Sequence, residues 1–186
     1  YWPALLLANN INLPKKIIAH GWWTNEGKKI SKSVGNTIDP NEMINKYGLD
    51  QLRYFLIREI PLGNDGDFSK EAFLNRINSD LSNNLGNLIQ RVMKFIYKNY
   101  DNRLPSKIDS TLDGYNLIID GYDLLSFIDK KIENFEMSKC LEEILVYIDK
   151  LNKFVDSNEP WKVFKVEKEK AGNCLSILVE TFRIVG

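Results

Sequence analysis

Residues 73–96 read FLNRINSDLSNNLGNLIQRVMKFI, and this stretch decides the fold class of the chain. Its apolar side chains recur at spacings of three and four over about seven helical turns. They are Phe73, Ile77, Leu81, Leu85, Leu88, Val92, Phe95 and Ile96. This spacing predicts an amphipathic helix with one buried stripe. Gly86 interrupts the helix at a cost of about 1 kcal/mol relative to alanine, which favours a close approach of another helix there.

The rest of the C-terminal part shows the same helical spacing three more times. The second stripe comprises Ile118, Tyr122, Leu125, Ile128 and Ile132. The third runs from Met137 to Val155, and the fourth runs from Ala171 to Val185. Amphipathic helices that follow one another without intervening strands predict a helical bundle. The longest link in this bundle, residues 101–112, contains Pro105.

The N-terminal part has a mixed pattern. Residues 17–23 are β-branched and aromatic, which predicts one strand. Turns are predicted at residues 25–27 and 63–67, where glycine accompanies asparagine or aspartate. Asp39 followed by Pro40 is typical of a helix start, and residues 50–57 predict a second helix. The fold class is therefore mainly α, with a small α/β part before the bundle.

Composition excludes several classes of protein. The 186 residues include 25 basic and 25 acidic side chains, so the chain is not a polycation, although a local cluster can still bind nucleic acid. No apolar run approaches the roughly 20 residues of a membrane span. Cys140 and Cys174 lie far apart and the only histidine is His20, so no metal site is expected. Both thiols are expected in the core, in a reducing cytoplasm.

Residues 27–35 read GKKISKSVG, a basic loop between two glycines. Lysine ammonium groups, serine hydroxyls and free backbone N–H groups suit a phosphate. The candidate ligands are Lys29, Ser31, Lys32 and Ser33. The loop lacks the GxxxxGK[ST] spacing of a P-loop. On the lysines alone, a solvated basic turn is the commoner interpretation.

The order of residues in this loop resembles a known signature. Lys29-Ile30-Ser31-Lys32-Ser33 is similar to the KMSKS motif of class I aminoacyl-tRNA synthetases, with isoleucine in place of methionine. Its context, HGWWT at residues 20–24, resembles the methionyl-tRNA synthetase family. Two further stretches are similar to the anticodon-binding bundle of that family: NNLGNLIQR at residues 83–91 and NEPWK at residues 158–162.

The resemblance implies an activity and a set of partners. The loop would close over ATP, with Lys29 and Lys32 stabilising the pyrophosphate leaving group, and Trp22 and Trp23 would border the ATP site. Mg²⁺ would accompany ATP in the full-length enzyme, and this portion itself would bind no metal. The helical bundle would read the CAU anticodon of tRNA(Met). The implied partners are tRNA(Met), methionine and ATP in the cytoplasm, with no DNA and no membrane.

The resemblance also implies three anticodon-reading residues: Asn87, Arg91 and Trp161. Asn87 and Arg91 are four residues apart on one helix face, where an amide can pair with a base edge and a guanidinium can stack. Trp161 follows Pro160 at a helix start and can stack on an unpaired base. The alternatives stay open: an ordinary surface pair for the first two, and a packed core tryptophan for the third. Three arginines are expected to be solvated charges or phosphate contacts: Arg53, Arg58 and Arg76.

The resemblance divides the chain into three parts. Residues 1–23 would end a truncated Rossmann catalytic domain, residues 24–75 would carry the KMSKS loop and a stem-contact connector, and residues 76–186 would bind the anticodon. The HIGH signature is absent, so we expect a C-terminal portion of a methionine–tRNA ligase that is inactive alone. One alternative is a non-enzymatic helical RNA- or protein-binding module. Another is a different class I synthetase, such as the leucine, valine or cysteine enzyme, against which the three anticodon-reading residues argue.

Overall fold

The computed structural model of the chain describes residues 1–33, 35–101, 103–104, 108–111 and 114–186. Val34 of the basic loop and Pro105 of the longest link lie outside these residues. In these ranges the fold is mainly helical, with one small three-stranded sheet whose strands lie in the order Lys28–Lys29, Trp23–Asn25 and Gly66–Phe68. The mainly α prediction is therefore confirmed.

The chain begins with helix α1, Trp2–Ala8, and residues 11–22 then form neither helix nor strand. Strand β1 is Trp23–Asn25, so the strand predicted over residues 17–23 is wrong except at its last residue. Residues 17–18 are apolar and β-branched, and such residues favour a strand where they can pack on a half-buried pleated surface. Here Ile17 and Ile18 are 68% and 42% exposed, and β1 begins only where a neighbouring strand pairs with it.

The sheet is built around β1. Strand β2, Lys28–Lys29, pairs with β1 in an antiparallel hairpin. Its two turn residues, Glu26 and Gly27, have φ of 51° and 72°, which suits the tight two-residue hairpin turn and confirms the predicted turn. Strand β3, Gly66–Phe68, pairs parallel with β1. The turn predicted at residues 63–67 therefore extends too far, because its last two residues belong to this strand.

Two helices connect β2 to β3, namely α2, Pro40–Tyr47, and α3, Leu49–Arg58. The Asp39 carboxylate accepts a hydrogen bond from the Asn41 N–H at 2.8 Å, so the helix start predicted at this position is confirmed. The sheet and these helices enclose the smaller of two cores. Its buried members are Leu52, Phe55, Phe68 and Phe73.

The long helix predicted over residues 73–96 has three consecutive parts. It comprises α4, Lys70–Arg76, then a π-helical segment, Ile77–Gly86, and then α5, Asn87–Asn99. The close helix approach predicted at Gly86 is wrong. A Cβ atom there would lie 3.0 Å from the carbonyl oxygen of Leu81, five residues earlier in the same segment. Gly86 thus relieves crowding within the wider π-helical turn.

Within the described residues after α5 there are four more helices: α6, Tyr115–Glu133; α7, Met137–Asn158; α8, Pro160–Val163; and α9, Lys168–Val185. They pack with α5 around the larger core. The helices predicted from the second, third and fourth apolar stripes are therefore confirmed. Its buried members are Leu88, Val92, Ile96, Tyr147, Ile148, Leu151, Val155, Cys174, Leu175 and Leu178. Cys140 and Cys174 are buried free thiols, as predicted, and burial raises the pKa of Cys174 to about 12.

The stripe predicted for α6 is rotated relative to the observed one. Tyr122 and Leu125 are 48% and 41% exposed, whereas Ile118 and Gly121 are buried. The reason is the neighbouring Tyr147, whose hydroxyl donates to the Leu117 carbonyl at 2.6 Å. A Cβ atom at Gly121 would lie 2.7 Å from that hydroxyl, so the glycine face of α6 turns toward α7. Among the described residues, no helix combines the length and apolarity that crossing a membrane requires.

Candidate nucleotide and RNA sites

The basic loop is closed by a side chain that the sequence analysis missed. Asn36 donates from Nδ2 to the Lys29 carbonyl at 3.1 Å and accepts the Ser31 N–H on Oδ1 at 2.9 Å. Its own carbonyl accepts a hydrogen bond from Asn25 Nδ2 at 2.7 Å. The side-chain amide of Asn36 therefore binds the backbone at both ends of residues 29–31. An asparagine directly after Gly35 was the available signal, because this residue type bridges backbone groups in turns.

The candidate phosphate ligands lie on the exposed side of this closed loop. Lys29, Lys32 and Ser33 are exposed, and the hydroxyls of Ser31 and Ser33 are 2.8 Å apart. In the part of the chain that the structure describes, neither Lys29 nor Lys32 has an ion-pair partner. Both ammonium groups can therefore meet an anion without first breaking a salt bridge.

The two tryptophans beside the loop have different surroundings. The Trp22 indole is 76% exposed, while its backbone N–H donates to Asp65 Oδ1 at 2.7 Å. Trp23 is half-buried, and its ring centre lies 6.2 Å from that of Phe55 in the smaller core. Only Trp22 offers a largely free ring to a ligand. The Trp23 ring supports the sheet that carries the loop.

Aspartate carboxylates fix the backbone that leads into the loop. Asp67 Oδ1 accepts from the Thr24 hydroxyl at 2.5 Å and from the Gly27 N–H at 2.8 Å, and these hydrogen bonds hold its pKa below the ordinary value. His20 is exposed, and its Nδ1 lies 2.8 Å from the Gly21 carbonyl. These carboxylates shape the hairpin. Among the described residues, no group of three or more metal-binding side chains is found.

The candidate anticodon face lies on α5 and α7. Asn87, the first residue of α5, is exposed, and Arg91 lies one turn later on the same face. The Arg91 guanidinium contacts two side chains of α7. It donates to Asp156 Oδ1 and to Asn152 Oδ1, each at 3.1 Å. The structure thus brings Arg91 to the C-terminal half of α7, where Asp156 lies five residues before Trp161.

Trp161 lies just after the end of α7. Glu159 has a φ of 39° and ends the helix, and Pro160, the first residue of α8, is fully buried. Trp161 is half-buried and packs against the larger core. One part of the indole therefore supports the bundle, and the remainder is accessible. The packing alternative is therefore met for part of the side chain, and stacking on a base stays a prediction.

A buried polar cluster joins α3 to the π-helical segment. Asp80 is only 8% exposed and accepts from the Tyr54 hydroxyl at 2.8 Å. Arg58 and Arg76 lie 3.9 and 3.7 Å from the same carboxylate. Burial, reinforced by Asp80, raises the pKa of Tyr54. The expectation of solvated charges or phosphate contacts is therefore wrong for Arg58 and Arg76, because both lie against the buried Asp80 carboxylate. Arg76 and Asp80 have the i,i+4 spacing of a helix pair, whereas no local pattern indicates the contact with Arg58. Arg53 is exposed.

Comparison with known proteins defines the class. A family model described as "tRNA synthetases class I (M)" matches residues 1–93, which is half of the chain. The chain belongs to this family of class I tRNA synthetases. The relatives then narrow the family to its methionine branch. A methionine–tRNA ligase of Rickettsia bellii is 46% identical over 191 aligned residues, and one of Caldanaerobacter subterraneus is 42% identical.

Solved structures give the same result. The Mycobacterium tuberculosis methionyl-tRNA synthetase in complex with methionyl-adenylate matches the whole chain with a TM-score of 0.91 at 39% identity. The apo form of that enzyme matches with a TM-score of 0.85 at 35% identity. The matches cover all of this chain but 37% of the Rickettsia relative, 29% of the Caldanaerobacter relative, and 37% and 36% of the two solved chains. The chain therefore spans about a third of the length of these relatives.

Proposed function

We propose that this chain supplies the KMSKS loop and the anticodon-binding bundle of a methionine–tRNA ligase, which uses ATP to join methionine to tRNA(Met). The observation that supports this proposal is the contact of Arg91 with Asp156 and Asn152 of α7, each at 3.1 Å, in a chain of the methionine branch. Asn87 lies one helical turn before Arg91, and Trp161 follows Asp156 by five residues. We assign residues 1–23 to the end of the catalytic domain, 24–75 to the loop and connector, and 76–186 to anticodon binding. Such a ligase acts in the cytoplasm.

The anticodon face offers the chemistry that single-stranded bases need. Arg91 uses one N–H on each terminal nitrogen for its partners on α7, so the other guanidinium N–H groups remain available to a base or a phosphate. The Asn87 amide presents both a donor and an acceptor to a base edge. Trp161 adds a partly accessible ring for stacking, worth about 1–3 kcal/mol per base. Together these groups would supply hydrogen bonding and stacking to unpaired bases.

The loop residues are proposed to act on ATP in the longer enzyme. Lys29 and Lys32 carry free positive charges that stabilise the pyrophosphate as it leaves, and the hydroxyls of Ser31 and Ser33 bind phosphate oxygens. The backbone at Trp22 and Trp23 borders the nucleotide. ATP brings its own Mg²⁺, which shields the phosphate charges.

RNA binding by the 186-residue chain tests the anticodon proposal directly. Fluorescence anisotropy would compare a hairpin RNA with CAU in its loop against one with UAC, at a fixed salt concentration. Because a well-placed bidentate contact discriminates by about 1–3 kcal/mol, we expect CAU to bind about tenfold tighter or more. Equal affinity for both loops in the folded chain would contradict the proposal.

A matched pair of variants assigns the effect to the face. Arg91→Ala should reduce the preference for CAU, because the reading guanidinium is gone. Arg183→Ala is the control, since Arg183 is also an exposed arginine paired with a carboxylate, Glu180, on α9. The control should keep the preference, and an equal loss in both variants would count against the assignment.

A further inference from the structure

A chain of side-chain hydrogen bonds runs along the face of α7 and ends at Arg91. Asn84 of the π-helical segment donates from Nδ2 to Asp149 Oδ1 at 2.8 Å. Asn152 donates from Nδ2 to Asn84 Oδ1 at 2.7 Å. The Oδ1 atom of Asn152 accepts from Arg91 at 3.1 Å. Asp149 and Asn152 are three residues apart, so they share one face of α7.

The two ends of this chain determine the orientation of both amides. An ionised aspartate only accepts hydrogen bonds, so Asn84 must turn its NH₂ group toward Asp149. Its carbonyl oxygen then faces Asn152, which must in turn present its own NH₂ group. The carbonyl oxygen of Asn152 is left facing Arg91, and a guanidinium only donates. Every bond is satisfied in this order, and flipping either amide would set two acceptors or two donors against each other.

We propose that Asn84 and Asn152 form a relay of hydrogen bonds, with the direction of each bond fixed by the Asp149 carboxylate, and that this relay positions the Arg91 guanidinium for base recognition. Neither asparagine needs to touch RNA, so both are positioning residues. The inference rests on the proposed function, because it deepens the role of Arg91 at the anticodon face.

The relay explains why a long, exposed side chain can discriminate between bases. An arginine tethered by Asp156 alone can pivot about that single contact and reach phosphates or several base edges. The second acceptor, Asn152, fixes the plane of the guanidinium and hence the direction of its remaining N–H groups. A group held in its binding geometry loses less conformational entropy on binding and rejects misplaced acceptors. The relay should therefore affect specificity more than total affinity.

The first experiment removes the acceptor that faces Arg91. In the full 186-residue chain, Asn152→Ala should lower the CAU-to-UAC affinity ratio by roughly five- to tenfold, which lies in the range for the loss of one ordinary hydrogen bond. Affinity for the UAC hairpin should stay unchanged, which a merely destabilised fold would not produce. Asn99→Ala is the matched control, because Asn99 is also a half-buried helical asparagine, and the Phe95 carbonyl is its one hydrogen-bond partner among the described residues.

The second experiment tests the polarity itself by thermal melting. Asn152→Asp puts an acceptor-only group against Asn84, so one carboxylate must face a carbonyl oxygen and the melting temperature should fall by roughly 2–6 °C. Adding Asp149→Asn keeps the wild-type net charge and lets the donor and the acceptor exchange roles in both hydrogen bonds of Asn84. The new amide at position 149 then donates to Asn84, and Asn84 donates to the new carboxylate at position 152. This double variant should regain the wild-type melting temperature.

The outcomes separate this inference from the function on which it rests. A wild-type chain that binds both hairpins equally contradicts the anticodon proposal. In that case the melting temperatures of Asn152→Asp and of the double variant still test the relay. A discriminating wild type with an unchanged ratio in Asn152→Ala overturns the positioning role. A double variant that melts as low as Asn152→Asp overturns the polarity. Loss of the ratio in Asn152→Ala together with recovery in the double variant supports the relay.

Discussion

Replacing Tyr54 with phenylalanine isolates one hydrogen bond at the junction between the connector and the bundle. The Tyr54 hydroxyl donates to Asp80 Oδ2 at 2.8 Å, and Asp80 is 8% exposed. A hydrogen bond to a charged acceptor contributes about 1.5–3 kcal/mol. Because Arg58 and Arg76 remain within 4 Å of the carboxylate and the aromatic ring is kept, we expect a loss near 1.5 kcal/mol in the free energy of unfolding.

Urea unfolding followed by circular dichroism at neutral pH measures this loss. The urea midpoint should fall while the slope with denaturant stays constant, because the surface exposed on unfolding is unchanged. Tyr97→Phe is the matched control, since Tyr97 lies on α5, is 69% exposed and has no hydrogen-bond partner among the described residues. The reasoning is refuted if both variants unfold at the wild-type midpoint.

The same pair of proteins tests the raised pKa of Tyr54. The folded state holds this proton more tightly than the unfolded chain, whose tyrosines titrate near the ordinary pKa of 10.0. The stabilisation is therefore complete below pH 10 and decreases as the pH rises above it. Wild type should lose stability more steeply than Tyr54→Phe above pH 10. Parallel curves would show that burial and the Asp80 carboxylate do not raise the pKa of the Tyr54 hydroxyl.

Three further substitutions have defined outcomes. Trp161→Ala should weaken CAU hairpin binding by about 1–3 kcal/mol and also lower the melting temperature, because the ring is both accessible and packed. Glu136 accepts from Lys131 and Lys139, which lower its pKa to about 2, so wild type should lose stability more steeply than Glu136→Gln as the pH falls from 4.5 toward 2. In the longer enzyme, Lys32→Ala should raise the activation free energy of methionyl-adenylate formation by about 3–4 kcal/mol, with methionine affinity retained. Single-turnover kinetics measure this change.

Each of these substitutions has a control. Trp161→Phe keeps a stacking ring, so it should recover most of the binding that alanine loses. Glu133 lies three residues before Glu136 and has no ion pair among the described residues. Glu133→Gln should therefore lose stability with falling pH as wild type does. Lys28→Ala removes a neighbouring loop charge. If it slows adenylate formation as much as Lys32→Ala does, the effect reflects loop charge in general.

The helices could be predicted from the sequence because their signals are local. The spacing from Phe73 to Ile96 and the Asp39-Pro40 helix start depend only on nearby residues. The strand at residues 17–23 could not be located in the same way, since a strand depends on its neighbour, and here that neighbour is Gly66–Phe68. The orientation of α6 also depended on a distant residue, Tyr147.

The candidate site shows the same division. The motifs indicated Lys32, Arg91 and Trp161, and a local signal also existed for Asn36, which closes the loop that carries Lys32. Nothing local indicated what holds Arg91. Asn152 lies 61 residues from Arg91 in sequence, and Asp156 lies 65 residues away. Pairings at such separations arise only when the helices have packed, so no motif or spacing rule contains them.

The indole N–H resonances of the chain offer the most direct test of the anticodon face. The sequence contains four tryptophans, so a ¹H–¹⁵N spectrum should show one indole signal for each. On titration with the CAU hairpin, the Trp161 signal should shift progressively to saturation, and the signals of Trp2, Trp22 and Trp23 should stay in place. A saturating shift at Trp22 with Trp161 unmoved would place the RNA elsewhere on the chain and contradict the account.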